Sequence, residues 1–202
     1  MKKTKIIGLT GGIASGKSSV AEFLRARSFP VFDADKAAHE LMSKDSGAWQ
    51  DIIDEFGKGI LTNSEEIDRQ KLGQIVFAEP ERLKKLEAIL HHRIWQAFEN
   101  FCTEQRAQQA KIVFLDAPLL IEAGWHERVD SVWLVYLSRE EQIRRAMQRD
   151  KVQAVVIEQR LDKQMPFDKK KLVADRIIDN SFTLEQTYAQ VESLINELQV
   201  AI

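Results

Sequence analysis

Five short apolar, β-branched runs recur along this chain, Lys5 to Thr10, Val31 to Asp33, Ile112 to Asp116, Val132 to Leu137 and Arg176 to Ile178, with helix-period segments between them. The alternation predicts an α/β fold, a five-stranded parallel sheet covered by helices on both faces. Ser138 stands three residues before Glu141, and Thr183 three before Gln186, which is the spacing of a capping box. The fourth and fifth strands therefore lead into helices. In the last of these, Leu184, Tyr188, Val191, Leu194, Ile195 and Leu198 share one face, as packing against a sheet requires.

The interval from Asp33 to Lys111 is far longer than a simple crossover. Its periodicity predicts helices near Lys36 to Met42, Ala48 to Phe56, Glu65 to Phe77 and Glu81 to Phe101, the last with Leu83, Leu86, Leu90, Ile94 and Phe98 roughly in register. An elaborated helical layer would explain this. A substrate-gripping insertion over residues 34–110 explains more, because insertions beside the carboxyl ends of strands commonly select the ligand. One domain, 1–202, carrying such an insertion fits the length and the 44% apolar content.

Charge changes the picture locally rather than globally. The chain has 29 basic and 31 acidic residues, so no overall positive field recruits nucleic acid or an anionic membrane. Within residues 139–176, however, 11 basic residues face 7 acidic ones. Arg145 and Arg149 lie four apart on one predicted helical face, where like charges repel unless an anion sits between them or local acids pair with them. The single cysteine, Cys102, allows no intramolecular disulfide and is expected as a small buried side chain, in keeping with a cytoplasmic protein. After the basic Met1-Lys2-Lys3-Thr4, the apolar stretch ends at Leu9, too short for a signal peptide or membrane span.

The sharpest chemical signal is Gly11-Gly12-Ile13-Ala14-Ser15-Gly16-Lys17-Ser18, a G-x-x-x-x-G-K-S directly after the first strand. Its glycines let the backbone curl N–H groups inward around phosphates, Lys17 reaches the β and γ oxygens, and the Ser18 hydroxyl can ligate Mg²⁺. A nucleoside triphosphate is thus the expected ligand. Asp33, at the end of the second strand, is the best candidate to relieve an acceptor hydroxyl of its proton, and Asp35 is the better placed to cap the helix near Lys36. Asp116, ending the third strand, has the position of a Walker-B carboxylate, although a plain strand-end acid explains it almost as well. His91 and His92 point about 100° apart on a helix, so they cannot both face one ion. His91 fits a substrate hydrogen bond or simple surface exposure better than a metal.

Taken together, these motifs resemble the dephospho-coenzyme A kinase family. The resemblance runs through Leu9 to Ser18, Phe32-Asp33-Ala34-Asp35 with Ala38-His39, and Asp68-Arg69 with Leu72, Val76 and Phe77. It continues in Leu90-His91, Asp116-Ala117-Pro118-Leu119-Leu120, Gln142 to Asp150, Arg160, Gln164-Met165-Pro166 and Ala174-Asp175 to Asp179-Asn180-Ser181. It implies a three-layer P-loop NTPase fold with a helical insertion for the coenzyme A precursor and a helical lid over 139–176. It also implies ATP-dependent phosphorylation of the 3′-hydroxyl of the dephospho-coenzyme A ribose, the final step of coenzyme A biosynthesis.

For the site, the resemblance implies Asp33 as base, Gly12 to Ser19 around the ATP phosphates, and Arg145 and Arg149 in the lid. Asn180 is implied near the adenine; Asp33, His91, Asp116 and Leu119 are expected on the acceptor side, and Ser18 and Asp116 near Mg²⁺. The sequence departs from the family at His92, commonly proline, and at Ile121, commonly aromatic. A monomer or weak homo-oligomer is expected. A nucleoside monophosphate or shikimate-type kinase shares the loop and lid logic, but a phosphate acceptor would favour more arginines in the insertion than Arg69, Arg82 and Arg93. A nucleotide-gated switch leaves the insertion and the basic segment unexplained.

Overall fold

Ile6, Ile7 and Leu9 give the first strand its apolar, β-branched character, and the strand is buried from Ile7 to Gly11. A computed structural model of the chain describes residues 4–200, so the basic Met1-Lys2-Lys3 start lies outside the described residues. All five predicted strands form: β1 (Lys5–Gly11), β2 (Val31–Asp33), β3 (Ile112–Asp116), β4 (Ser131–Tyr136) and β5 (Arg176–Asp179). They make one sheet in the order β2-β3-β1-β4-β5. Strand β1 runs parallel to β3 and to β4, and β4 runs parallel to β5. The chain leaves β1 toward one edge for β2 and β3, then crosses to the other side for β4 and β5. The strand order therefore reverses at β1, and the carboxyl ends beside it form the ligand-binding crevice typical of open α/β sheets.

The chain divides into two compact units, one of residues up to Phe32 together with those from Gln105 onward, the other Asp33–Glu104. In the first, Ile7 and Leu9 join Val20, Ala21, Phe23 and Leu24 of α1 (Lys17–Ala26), Phe114, Trp133, Val135 and Ile178 of the other strands, and Val191 and Ile195 of α9 (Leu184–Val200) in one core. Tyr188 stacks on Phe23 at 4.1 Å, as the predicted apolar stripe of the last helix requires. Gly8 points the other way: a Cβ there would stand 2.6 Å from Leu120 Cδ2, so the segment after β3 covers that side of β1.

Both predicted capping sites are used, one of them reciprocally. Thr183 Oγ1 accepts from Gln186 N–H at 3.3 Å while Gln186 Oε1 accepts from Thr183 N–H at 3.2 Å, closing the box at the head of α9. At α6 (Arg139–Asp150) Ser138 Oγ accepts from Glu141 N–H at 3.3 Å, but the Glu141 carboxylate is drawn instead to Arg144 and Arg145. Two further helices complete this region, α7 (Ala154–Leu161) and α8 (Phe167–Lys171).

The second unit is helical, with α2 (Ala34–Leu41), α3 (Gly47–Phe56), α4 (Arg69–Ala78) and most of α5 (Pro80–Ala107). Ala48, Ile52, Ile60, Ile67, Leu72 and Val76 form its core, with Leu83, Leu86 and Leu90 of α5 packed against it. Two expectations need correction. The helix expected from Glu65 starts only at Arg69, because Leu61 and Ile67 pair in an antiparallel bridge and Asp68 then caps the helix by accepting from Gln70 and Lys71 N–H. And the cap of α2 is Asp33, not Asp35: Asp33 Oδ1 accepts from Lys36 N–H at 2.9 Å, and Asp35 falls inside the first turn. Cys102 is buried, at 2% exposure.

Candidate functional site

Register places the two ends of the crevice in the first unit. Leu9 lies opposite Asp116 and Gly11 opposite Val135, so the phosphate loop leaves β1 between the carboxyl ends of β3 and β4. Ala14 takes φ 54° and Gly16 φ 92°, both left-handed. Gly16 is required twice over, since its φ disfavours any Cβ and an added one would lie 2.0 Å from Asn180 Nδ2. Gly16 also serves as N-cap of α1, so the loop runs directly into the positive end of the helix dipole.

Lys17 Nζ pairs with Asp116 Oδ1, and Arg25 Nη2 stands 3.9 Å from Asp116 Oδ2. Asp116 is only 4% exposed, so these cations are what make its burial affordable. Ser18 is exposed on the first turn of α1, next to the half-buried Ser19. Ser15 is 1% exposed and its Oγ has no hydrogen-bond partner among the described residues. Leu119, at 41% exposure, is one of the large apolar side chains left open after β3.

Three side chains that the motif does not contain hold the loop's backbone. Asn180 Nδ2 donates to Ser15 C=O at 2.7 Å while Thr187 Oγ1 donates to Asn180 Oδ1 at 2.8 Å. The Asn180 amide is thus engaged with the phosphate loop itself. Gln142 Nε2 donates to Ile13 C=O at 2.6 Å, and Gln164 Oε1 accepts from Ile13 N–H at 3.1 Å. Ile13 and Ala14 also pack against Ala146, Ile157 and Leu161 of α6 and α7. A cavity of about 320 Å³ opens beside Gly12, lined among others by Tyr136, Ser138, Gln142, Gln164 and Phe167. Sequence reasoning gave neither glutamine a role; the available signal was Gln142 sitting four residues from Ala146 on what proves to be a buried face.

The basic segment is laced with acids. Arg145 donates to Glu141 at 3.1 Å and to Asn180 C=O at 3.0 Å, Arg149 pairs with Asp150 at 2.7 Å, Arg160 with Asp150 at 2.9 Å and Arg139 with Asp162 at 2.7 Å. The expected repulsion between Arg145 and Arg149 is therefore offset by local carboxylates. Hydrogen bonding from Arg144, aided by Arg145, holds the Glu141 carboxyl down to about 2.

In the second unit, Asp33 ends β2 and its cap to Lys36 fixes the orientation of its carboxylate. His91, on α5, is pushed below the ordinary imidazole range by burial, with Glu87 opposing. Two residues on, Arg93 grips Asp51 through Nε at 2.9 Å and Nη2 at 2.7 Å. No group of three or more His, Cys, Asp or Glu that would hold a metal occurs among the described residues.

A family model described as dephospho-CoA kinase matches residues 5–186. The chain belongs to the dephospho-CoA kinase family. It is 41% identical over 196 residues to the dephospho-CoA kinase of Streptococcus mutans, covering 97% of this chain and 98% of that one. With the dephospho-CoA kinase of Geobacter metallireducens it shares 45% over 192 residues, or 95% and 96% of the two chains. Among solved structures, the dephospho-CoA kinase from Campylobacter jejuni is similar at TM-score 0.72 and 29% identity, covering 97% of this chain and 98% of that one. A shikimate kinase from Acinetobacter baumannii, at TM-score 0.54 and 15% identity over 96% and 94%, shares the fold alone. Among the described residues no helix is long and apolar enough to cross a membrane.

Proposed function

We propose that this chain transfers the γ-phosphoryl group of ATP to the ribose 3′-hydroxyl of dephospho-coenzyme A, the last step of coenzyme A synthesis, in the cytoplasm. The observation that carries this reading is the family match from residue 5 to residue 186 in a chain whose phosphate loop opens beside a buried lysine–aspartate pair. The loop's N–H groups and Lys17 receive the β and γ phosphates, and Arg145 and Arg149 exchange carboxylate partners for phosphate oxygens as residues 139–176 close. Asp33 accepts the proton of the 3′-hydroxyl, whose oxygen bonds to the γ phosphorus as the bond to the β–γ bridging oxygen breaks and ADP departs. The helical segment 34–110 selects the coenzyme A precursor, with neutral His91 as a hydrogen-bonding group, and Leu119 offers apolar contact on the acceptor side.

The donor set suits Mg²⁺ rather than a metal caged by protein. Magnesium at a nucleotide needs one or two protein oxygens beside phosphate oxygens and water, which the exposed Ser18 hydroxyl and, once released from Lys17, the Asp116 carboxylate would supply. When bound, it would offset charge on the β and γ phosphates.

Purified protein incubated with ATP and magnesium, and separately with dephospho-coenzyme A, adenosine monophosphate or shikimate, tests the reading by mass spectrometry of the products. A phosphate gained by dephospho-coenzyme A alone, at the ribose 3′ position, is expected. Transfer to another acceptor would overturn the substrate, and ATP loss without a phosphorylated acceptor would overturn the kinase.

A further inference from the structure

Within the phosphate loop the Ser15 N–H donates to Gly12 C=O at 3.2 Å. Three of its residues are glycines, and Ser15 Oγ is unpartnered among the described residues. Ile13 is nevertheless fixed at both polar groups, its C=O by Gln142 and its N–H by Gln164. These partners come from 129 and 151 residues away in sequence.

Each glutamine is itself anchored. Gln142 is 2% exposed on α6, where a Cβ on Gly12 would come within 2.5 Å of its Nε2. Gln164 sits between α7 and α8, and the next N–H, that of Met165, donates to Glu122 Oε1 at 3.4 Å. The same oxygen pairs with Lys170 Nζ at 2.9 Å. Lys170, 1% exposed, donates in turn to Pro118 C=O at 3.2 Å, which also accepts from Thr10 Oγ1 at 3.1 Å. A continuous polar path thus joins the end of β1, the segment after β3 and the α7–α8 connection to the loop.

We infer that Gln142 and Gln164 are positioning residues for phosphoryl transfer: by holding both polar groups of Ile13 they fix the phosphate loop in the shape that receives the triphosphate. The inference rests on reading that loop as the ATP site. A carbonyl needs a donor and an N–H needs an acceptor, and a neutral amide supplies either. A lysine at 142 or a glutamate at 164 would meet the same demand while adding charge beside the phosphates. A loop ordered before its ligand arrives costs less to order on binding.

The test compares the full-length protein with Gln142→Met, Gln164→Met, Gln142→Glu and Gln164→Glu, measuring ATP affinity by titration calorimetry beside melting temperature and steady-state kinetics. Calorimetric stoichiometry counts the folded fraction, so affinity is read from folded protein alone. Each methionine variant should bind ATP about tenfold more weakly, the effect of one lost hydrogen bond. The KM for dephospho-coenzyme A should stay within about twofold. The glutamate variants should separate although they add the same charge: Gln164→Glu keeps an acceptor for Ile13 N–H and binds ATP more tightly than Gln142→Glu, whose carboxylate meets a carbonyl. Wild-type affinity in the methionine variants, equal affinities in the glutamate pair, or a loss confined to stoichiometry and melting temperature would each overturn the inference. Failure of the unaltered protein to bind ATP would instead overturn the reading of the site.

Discussion

Gly16→Ala should be among the most damaging single changes in the first unit, and its cost can be built from the structure. The backbone at φ 92° resists any Cβ, at about 1–2 kcal/mol for a left-handed non-glycine residue. The new methyl would also stand 2.0 Å from Asn180 Nδ2, which cannot swing aside freely because Asn180 is 4% exposed and held between Ser15 C=O and Thr187 Oγ1. Displacing it breaks two hydrogen bonds at about 0.5–1.5 kcal/mol each, and more where a buried group is left unmet. The sum is about 2–5 kcal/mol, or about 10 °C in melting temperature for a chain of this size. Urea and thermal unfolding without nucleotide, run as a double-mutant cycle with Asn180→Ala, separates the two parts. In the Asn180→Ala background, Gly16→Ala should cost only the backbone strain, leaving a coupling of about 1–3 kcal/mol. An equal cost in both backgrounds, or a total under about 1 kcal/mol, would refute the reasoning.

Asp33→Asn should retain ATP binding and the cap of α2, since asparagine caps as well as aspartate, while turnover falls about a hundredfold or more; unchanged turnover in a product assay would remove Asp33 as the base. Ser15→Ala should be neutral or stabilising by up to about 1 kcal/mol, because it deletes a buried hydroxyl without a partner among the described residues; a clear drop in melting temperature would show that the hydroxyl is used. The Glu141 carboxyl should titrate near 2 by NMR and move up toward 4.5 in Arg144→Gln. Because its folded value is the lower one, its contribution to stability is whole above about pH 4.5 and is lost as pH falls toward about 2; an ordinary midpoint in the unaltered protein would contradict the pairing.

The strands were legible because short continuous apolar runs mark strands buried on both faces: Ile7 and Leu9, Phe114 and Val135 lie in such runs, and each expected run became a strand. The start of α4 was not, because the Leu61–Ile67 bridge depends on a turn that no apolar period records. The cap of α2 was assigned to the wrong aspartate because two acids two residues apart differ only in which has extended backbone, and Asp33 has it at φ −99° and ψ 107°. In the site, the phosphate motif was plain from spacing alone. Its supports were not, since Gln142, Gln164 and Asn180 act on backbone groups more than a hundred residues away and obey no local pattern.

The Lys17–Asp116 pair also bears on which anions the loop admits. An ammonium already neutralised by a buried acid is a poor lure for a lone inorganic phosphate or sulfate, which must displace Asp116 and gains little beyond what it breaks. A triphosphate brings several more oxygens to the loop's N–H groups and offsets the exchange. The pair therefore sets a cost that any anion reaching Lys17 has to exceed.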